Sequence, residues 1–132
     1  MDDTVYGEIV AGLKADNVKA VVFDFDCTIS QKHSGGRVRR DKFESFLKGN
    51  ISPCFQYILP RLLEDGYLVG VATFADSFMA PTTHISGEDL VRAFFRHYFQ
   101  DDFADRIPIV AAYPGGPIAN FSPREETGLS IF

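Results

Sequence analysis

Two carboxylates one residue apart, Asp24 and Asp26, with the hydroxyl of Thr28 two residues further on, form the most concentrated chemical grouping in this 132-residue chain. They follow the apolar run Ala20-Val-Val-Phe23, which with Phe25 is too short for a helix and suits a strand buried on both faces. Open α/β sheets bind ligands beyond the carboxyl ends of such strands. Two acids placed there are costly as anions unless a cation or a proton compensates them, so the spacing points to a magnesium and phosphate site.

The elements that must hold this grouping can be read on either side of it. Residues Asp3 to Asp16 carry Val5, Ile9 and Leu13 at helical spacing behind an acidic start, which predicts an accessory amphipathic helix within residues 1–18. The segment Ile29 to Arg37 is polar and reads as a loop or small hairpin turning at Gly35-Gly36. Lys32, His33, Arg37, Arg39, Arg40 and Lys42 make this region basic within a chain of formal charge -5, so it could attract a phosphorylated substrate or simply form a solvated face. Asp41 and Glu44 have capping-box spacing for a short helix stopped at Gly49-Asn50. Ser52-Pro53 then opens a second helix with Phe55, Ile58, Leu59, Leu62 and Leu63 on one face and a kink expected at Pro60.

Tyr67 to Thr73 reads as a second buried strand, with one loop-and-helix crossover between it and Asp24, as a parallel βαβ unit requires. Phe74 to Ile85 reads as a loop bordering the site. Ser86 opens a helix with Leu90, Val91, Phe94, Phe95, Tyr98 and Phe99 inward. His84 and His97 read as structural. Ile107 to Tyr113 reads as a third strand, with Pro108 tolerable at a sheet edge. Residues 114–132 read as an irregular tail.

The run Val-Val-Phe-Asp24-Phe-Asp26-Cys-Thr28 resembles the D-x-D-x-T signature of the haloacid dehalogenase superfamily, whose members are mostly magnesium-dependent phosphohydrolases. The resemblance implies that Asp24 is the nucleophile and Asp26 the general acid/base, and that both contribute to magnesium binding. It implies that Thr73 holds the transferring phosphoryl group, with Phe74 and Cys27 beside it; Cys27 stands where the family often has Gly. A carboxylate nucleophile with a second carboxyl nearby suits phosphoryl transfer through an aspartyl phosphate. The alternative readings are a chance D-x-D ending an ordinary strand and the metal-binding pair of a glycosyltransferase.

The resemblance spans roughly residues 19–113. The Lys of the family's third motif and the acids of its fourth are not recognisable in the tail. The expected architecture is therefore an α/β three-layer sandwich with a parallel, Rossmann-like sheet, a single domain over residues 1–132, uncapped and C-terminally truncated. The expected function is a magnesium-dependent phosphatase whose activity is impaired by the missing motifs; the alternative is an inactive relative that binds phosphate or a partner protein. Without a fourth strand, the edge at Ala20 to Phe25 would stay open, which favours a homodimer there over a folded-back tail Gly128 to Phe132.

Composition narrows the setting. An apolar fraction of 45% with 13 Phe and no Trp describes a globular chain, and a pI near 5.0 argues against nucleic-acid backbones as the main partner. No apolar run approaches a membrane span, and the start Met1-Asp2-Asp3 lacks the features of a secretory leader. Cys27 and Cys54 form no metal or disulfide pattern. A cytoplasmic setting is expected.

Overall fold

The computed structural model describes residues 1–73, 82–99, 105–111 and, as backbone, 129–131. Its order is α1 (Asp3–Ala15), β1 (Ala20–Asp24), a turn over Phe25–Ile29, β2 (Arg37–Arg39), α2 (Phe43–Leu47), α3 (Pro53–Glu64), β3 (Leu68–Thr73), β4 (His84–Ser86), α4 (Gly87–Tyr98), β5 (Ile109–Ala111) and β6 (Leu129–Ile131). The described residues thus form a mixed α/β structure. Its main sheet is parallel, in the order β5-β3-β1-β6, and a separate antiparallel pair joins β2 to β4.

β1 lies inside the main sheet. Asp24 pairs with Ala72 of β3, and Ala20 to Val22 pair with Leu129 to Ile131 of β6. Period-two alternation buries Val21, Phe23, Val69, Val71 and Thr73 on one face and leaves Ala20, Val22, Gly70 and Ala72 half-buried on the other. Aromatic rings carry the helices onto the first face. Phe23 meets Phe55 of α3 edge-on at 5.0 Å, Phe55 lies 6.0 Å from Phe95 of α4, and Phe25 meets Phe94 of α4 edge-on at 5.1 Å. Such pairs add about 0.5–1.5 kcal/mol each beyond the area they bury. Of the three-layer sandwich expected, the described residues account for the sheet and the layer on this face.

Several helical readings hold closely. Asp2 caps α1 by accepting from the Val5 amide at 3.0 Å, and Ser52 caps α3 by accepting from the Phe55 amide at 3.4 Å. α3 runs on through Pro60. α1 is tied to α3 by the Tyr6 hydroxyl, which donates to Asp65 at 2.6 Å; burial and that carboxylate raise the Tyr6 pKa.

Four expectations are corrected. The Asp41 capping box does not form, because Asp41 takes both Nε and Nη2 of Arg39 at 3.1 Å and α2 starts at Phe43 without a side-chain cap. Of the loop or small hairpin expected at Gly35-Gly36 the loop with its turn is found, and β2 pairs instead with β4, Val38 opposite Ile85, so part of the expected loop before Ser86 is strand. The tail is not wholly irregular, since Leu129–Ile131 form a strand beside β1. That strand supplies the fourth member judged missing and covers the edge on which the homodimer was predicated. A three-residue strand also leaves little free edge of its own. The expected strand residues Ala112 and Tyr113 lie outside the described set.

Candidate active site

The site begins where β1 stops. Asp24 ends the strand, and the chain turns sharply: Asp26 has φ -67 and ψ 127, Cys27 has φ 61 and ψ 13, and the Ser30 amide closes the turn on the Phe25 carbonyl at 3.1 Å. Phe25 and Ile29 are fully buried and anchor both ends of the turn in the core. Asp24 and Asp26 are thereby brought to one pocket of about 270 Å³, which they line together with His33, Gly35 and Gly36.

The left-handed conformation of Cys27 explains why glycine suits this position: for an L residue it costs about 1–2 kcal/mol. Cys27 is exposed and does not line the pocket; its amide donates to Ser30 Oγ at 3.4 Å.

Asp26 is held from across the loop. The Ser34 amide donates to Asp26 Oδ1 at 2.8 Å and Ser34 Oγ lies 3.1 Å from Oδ2, while Gly36 donates its amide to Ser34 Oγ at 3.0 Å. His33 Nδ1 lies 4.0 Å from Asp26 Oδ2 and accepts the Gly35 amide at 2.8 Å. The base of the loop is fixed by Asn50, fully buried, whose Oδ1 accepts the amides of Gln31 at 3.1 Å and Lys32 at 2.7 Å.

Asp24 differs from Asp26 in environment. Burial raises its pKa above the ordinary carboxylate value; the nearby Asp26 charge adds to this, while the Phe25 amide and His33 oppose it. A carboxylate placed where its anionic form is disfavoured is a feature that functional sites often exploit.

Thr73 closes β3 one residue beyond Ala72, the register partner of Asp24, so it stands at the same end of the sheet. It is 2% exposed, shares the buried face of Val69 and Val71, and is not among the described residues lining the pocket. Phe74 lies outside the described residues. His84 Nδ1 lies 2.9 Å from Thr83 Oγ1, and His97 meets the Tyr98 ring edge-on at 4.7 Å.

No family model matches the chain, and no curated protein matches it. Among solved structures, that of DsGPDH of Dunaliella salina aligns over 80% of this chain at 18% identity with a TM-score of 0.49. The chain spans 16% of the length of that protein. A likeness of this size carries no argument about chemistry.

Metal binding can be tested on the donors themselves. Among the described residues there is no group of three or more His, Cys, Asp or Glu side chains able to hold a metal ion. The pocket nevertheless offers carboxylate oxygen, the donor type a hard cation such as magnesium takes, and magnesium commonly keeps several waters while using only one or two carboxylates. Asp24 fits this role best, since a cation would relieve its disfavoured charge. Both oxygens of Asp26 already have Ser34 donors.

Sequence reasoning named Asp24, Asp26 and Thr73 and weighed His33, but it missed Ser34 and Asn50. Ser34 lies eight positions from Asp26 in a polar loop, with no periodicity to mark it.

Proposed function

We propose that the chain is a haloacid dehalogenase-type phosphohydrolase that cleaves a phosphate monoester through Asp24. The observation that supports this best is the turn after β1, which brings the first two members of the D-x-D-x-T run to a single pocket at the carboxyl end of an interior strand.

In this reading Asp24 attacks phosphorus and an aspartyl phosphate forms as the ester P–O bond breaks. The Asp26 carboxyl gives its proton to the leaving alkoxide. Asp26, now a carboxylate, takes a proton from water as that water attacks phosphorus; inorganic phosphate leaves and Asp24 is regenerated. Ser34 keeps the Asp26 carboxyl aimed at the pocket in both steps. Magnesium, when bound by Asp24 with help from Asp26, would neutralise the crowded anions. The Thr73 hydroxyl is the proposed donor to a phosphoryl oxygen.

The site is a small carboxylate pocket with two acids in it, so turnover of a simple aryl phosphate is expected to be slow. The test is hydrolysis of phenyl phosphate with and without magnesium. Slow, magnesium-dependent release of phosphate, reduced at least about 10²-fold in Asp26→Asn and abolished in Asp24→Asn, is expected. Activity unchanged in Asp24→Asn would remove the proposal.

A further inference from the structure

The loop that closes the pocket is bracketed by two cations that have no protein partner among the described residues. Between Lys32 and Lys42 the chain carries five basic side chains and one acid, although the whole chain has a formal charge of -5. Not all of these are available. Arg39 is held by Asp41 at 3.1 Å through two nitrogens, and Arg40 Nε donates to the Thr82 carbonyl at 3.0 Å. Lys32 and Arg37 are exposed, and they stand immediately before and after the residues His33 to Gly36, three of which line the pocket.

Their backbones are fixed although their side chains have no partner among the described residues. The Lys32 amide is bound by buried Asn50 at 2.7 Å, and its carbonyl accepts from Ser30 Oγ at 2.8 Å. Arg37 is paired with Ser86 in the β2–β4 ladder, and Val38 beside it packs against the core. Two exposed cations thus stand on fixed backbone at the two ends of a loop whose residues line the pocket, and the pocket's own titratable groups are two acids and a histidine. The oxygens of Asp26 already have their Ser34 donors, and the charged groups acting on Asp24 are Asp26 and His33 rather than either cation. The two cations suit an anion outside the pocket.

We propose that the substrate carries a second anionic group, a phosphate or carboxylate, beside the phosphate that enters the pocket, and that Lys32 and Arg37 bind it. This rests on the phosphohydrolase reading for the identity of the first group. The arrangement is a two-point recognition: the scissile phosphate goes to Asp24, and the second anion meets the pair at the rim. Arg37 offers a planar fork to such an oxyanion, and Lys32 a point charge on a longer tether.

The experiment uses the Asp24→Asn chain, which cannot form an aspartyl phosphate, titrated calorimetrically with phenyl phosphate and with the bisphosphate of benzene-1,3-diol. The bisphosphate should bind about tenfold more tightly, as two solvent-exposed ion pairs allow. Adding Lys32→Ala and Arg37→Ala should abolish that advantage while leaving phenyl phosphate affinity within about twofold, and the advantage should shrink as salt rises from about 50 to about 300 mM. Equal affinities, an advantage that survives the double substitution, or binding of neither compound would overturn the proposal. Tight binding of a DNA duplex lost in the same double variant would overturn it in favour of a nucleic-acid surface. If the rim behaves as expected but the unsubstituted chain with magnesium releases no phosphate from either compound, the anion site stands and the phosphohydrolase reading falls.

Discussion

At the scale of single residues, the site carries two costs that substitutions can expose. Asp24 has its pKa raised by burial, so the folded chain holds that proton more tightly than the unfolded chain does. The sign follows from linkage: stability falls as pH rises through this range, and the penalty is complete once the folded-state carboxyl has ionised. Below about pH 4 both states are protonated and the penalty is gone. Asp24→Asn should therefore raise the melting temperature at pH 7, and the difference should narrow as pH falls towards about 4. Thermal scans across this range without metal check it; an Asn variant less stable at pH 7 would mean that the carboxylate is favourably held after all. Cys27 carries the second cost. Relief of its φ of 61 in Cys27→Gly is worth about 1–2 kcal/mol, against about 0.4–1 kcal/mol lost to the freer unfolded chain. The net expectation is a gain of up to about 1.6 kcal/mol in urea denaturation. A loss of similar size would show that the Cys27 side chain makes a contact of value.

At the scale of elements, the strands that build the site depend on the tail. β1 is interior because β6 lies along Ala20 to Val22, and it is the end of β1 that carries Asp24. Removing residues 129–132 would strip those hydrogen bonds and leave an apolar edge open, and such edges pair with other chains. The shortened chain should be less stable and should self-associate in sedimentation experiments, while the full chain should not do so through this edge. Equal sedimentation of the two chains over a wide concentration range would show that β6 does not protect β1. The elements differ in how plainly they could be read. β1, β3 and the helices α1, α3 and α4 announce themselves because runs such as Ala20 to Phe23, and stripes such as Leu90, Val91, Phe94 and Phe95, are dictated by one-sided or two-sided burial. β6 does not, since Leu129-Ser-Ile131 is too short to carry a period and depends on a partner more than a hundred positions earlier. β2 and β4 are hidden for the same reason, because Val38 finds Ile85 across the intervening helices and strand. The failed Asp41 cap shows a local rule losing to a competing charge, Arg39.

At the scale of the whole molecule, the pair Asp24 and Asp26 was legible because a buried strand ending in acids breaks the expected pattern. Their support was not: Ser34 and Asn50 act through a loop whose shape is set by side-chain hydrogen bonds to distant backbone. No helix among the described residues is long and apolar enough to cross a membrane. The parallel sheet, the turn at Cys27 and the hydrogen bonds from Ser34 all serve to bring two carboxyls to one small opening. The central claim is that one of them, Asp24, becomes covalently phosphorylated. The most direct measurement is mass spectrometry of the chain quenched in acid during reaction with phenyl phosphate and magnesium. A phosphoryl increment should map to the peptide containing Asp24, be absent in Asp24→Asn, and accumulate in Asp26→Asn, where the water is no longer activated. Phosphate release without any phosphoryl group on Asp24, or an increment that persists in Asp24→Asn, would contradict it.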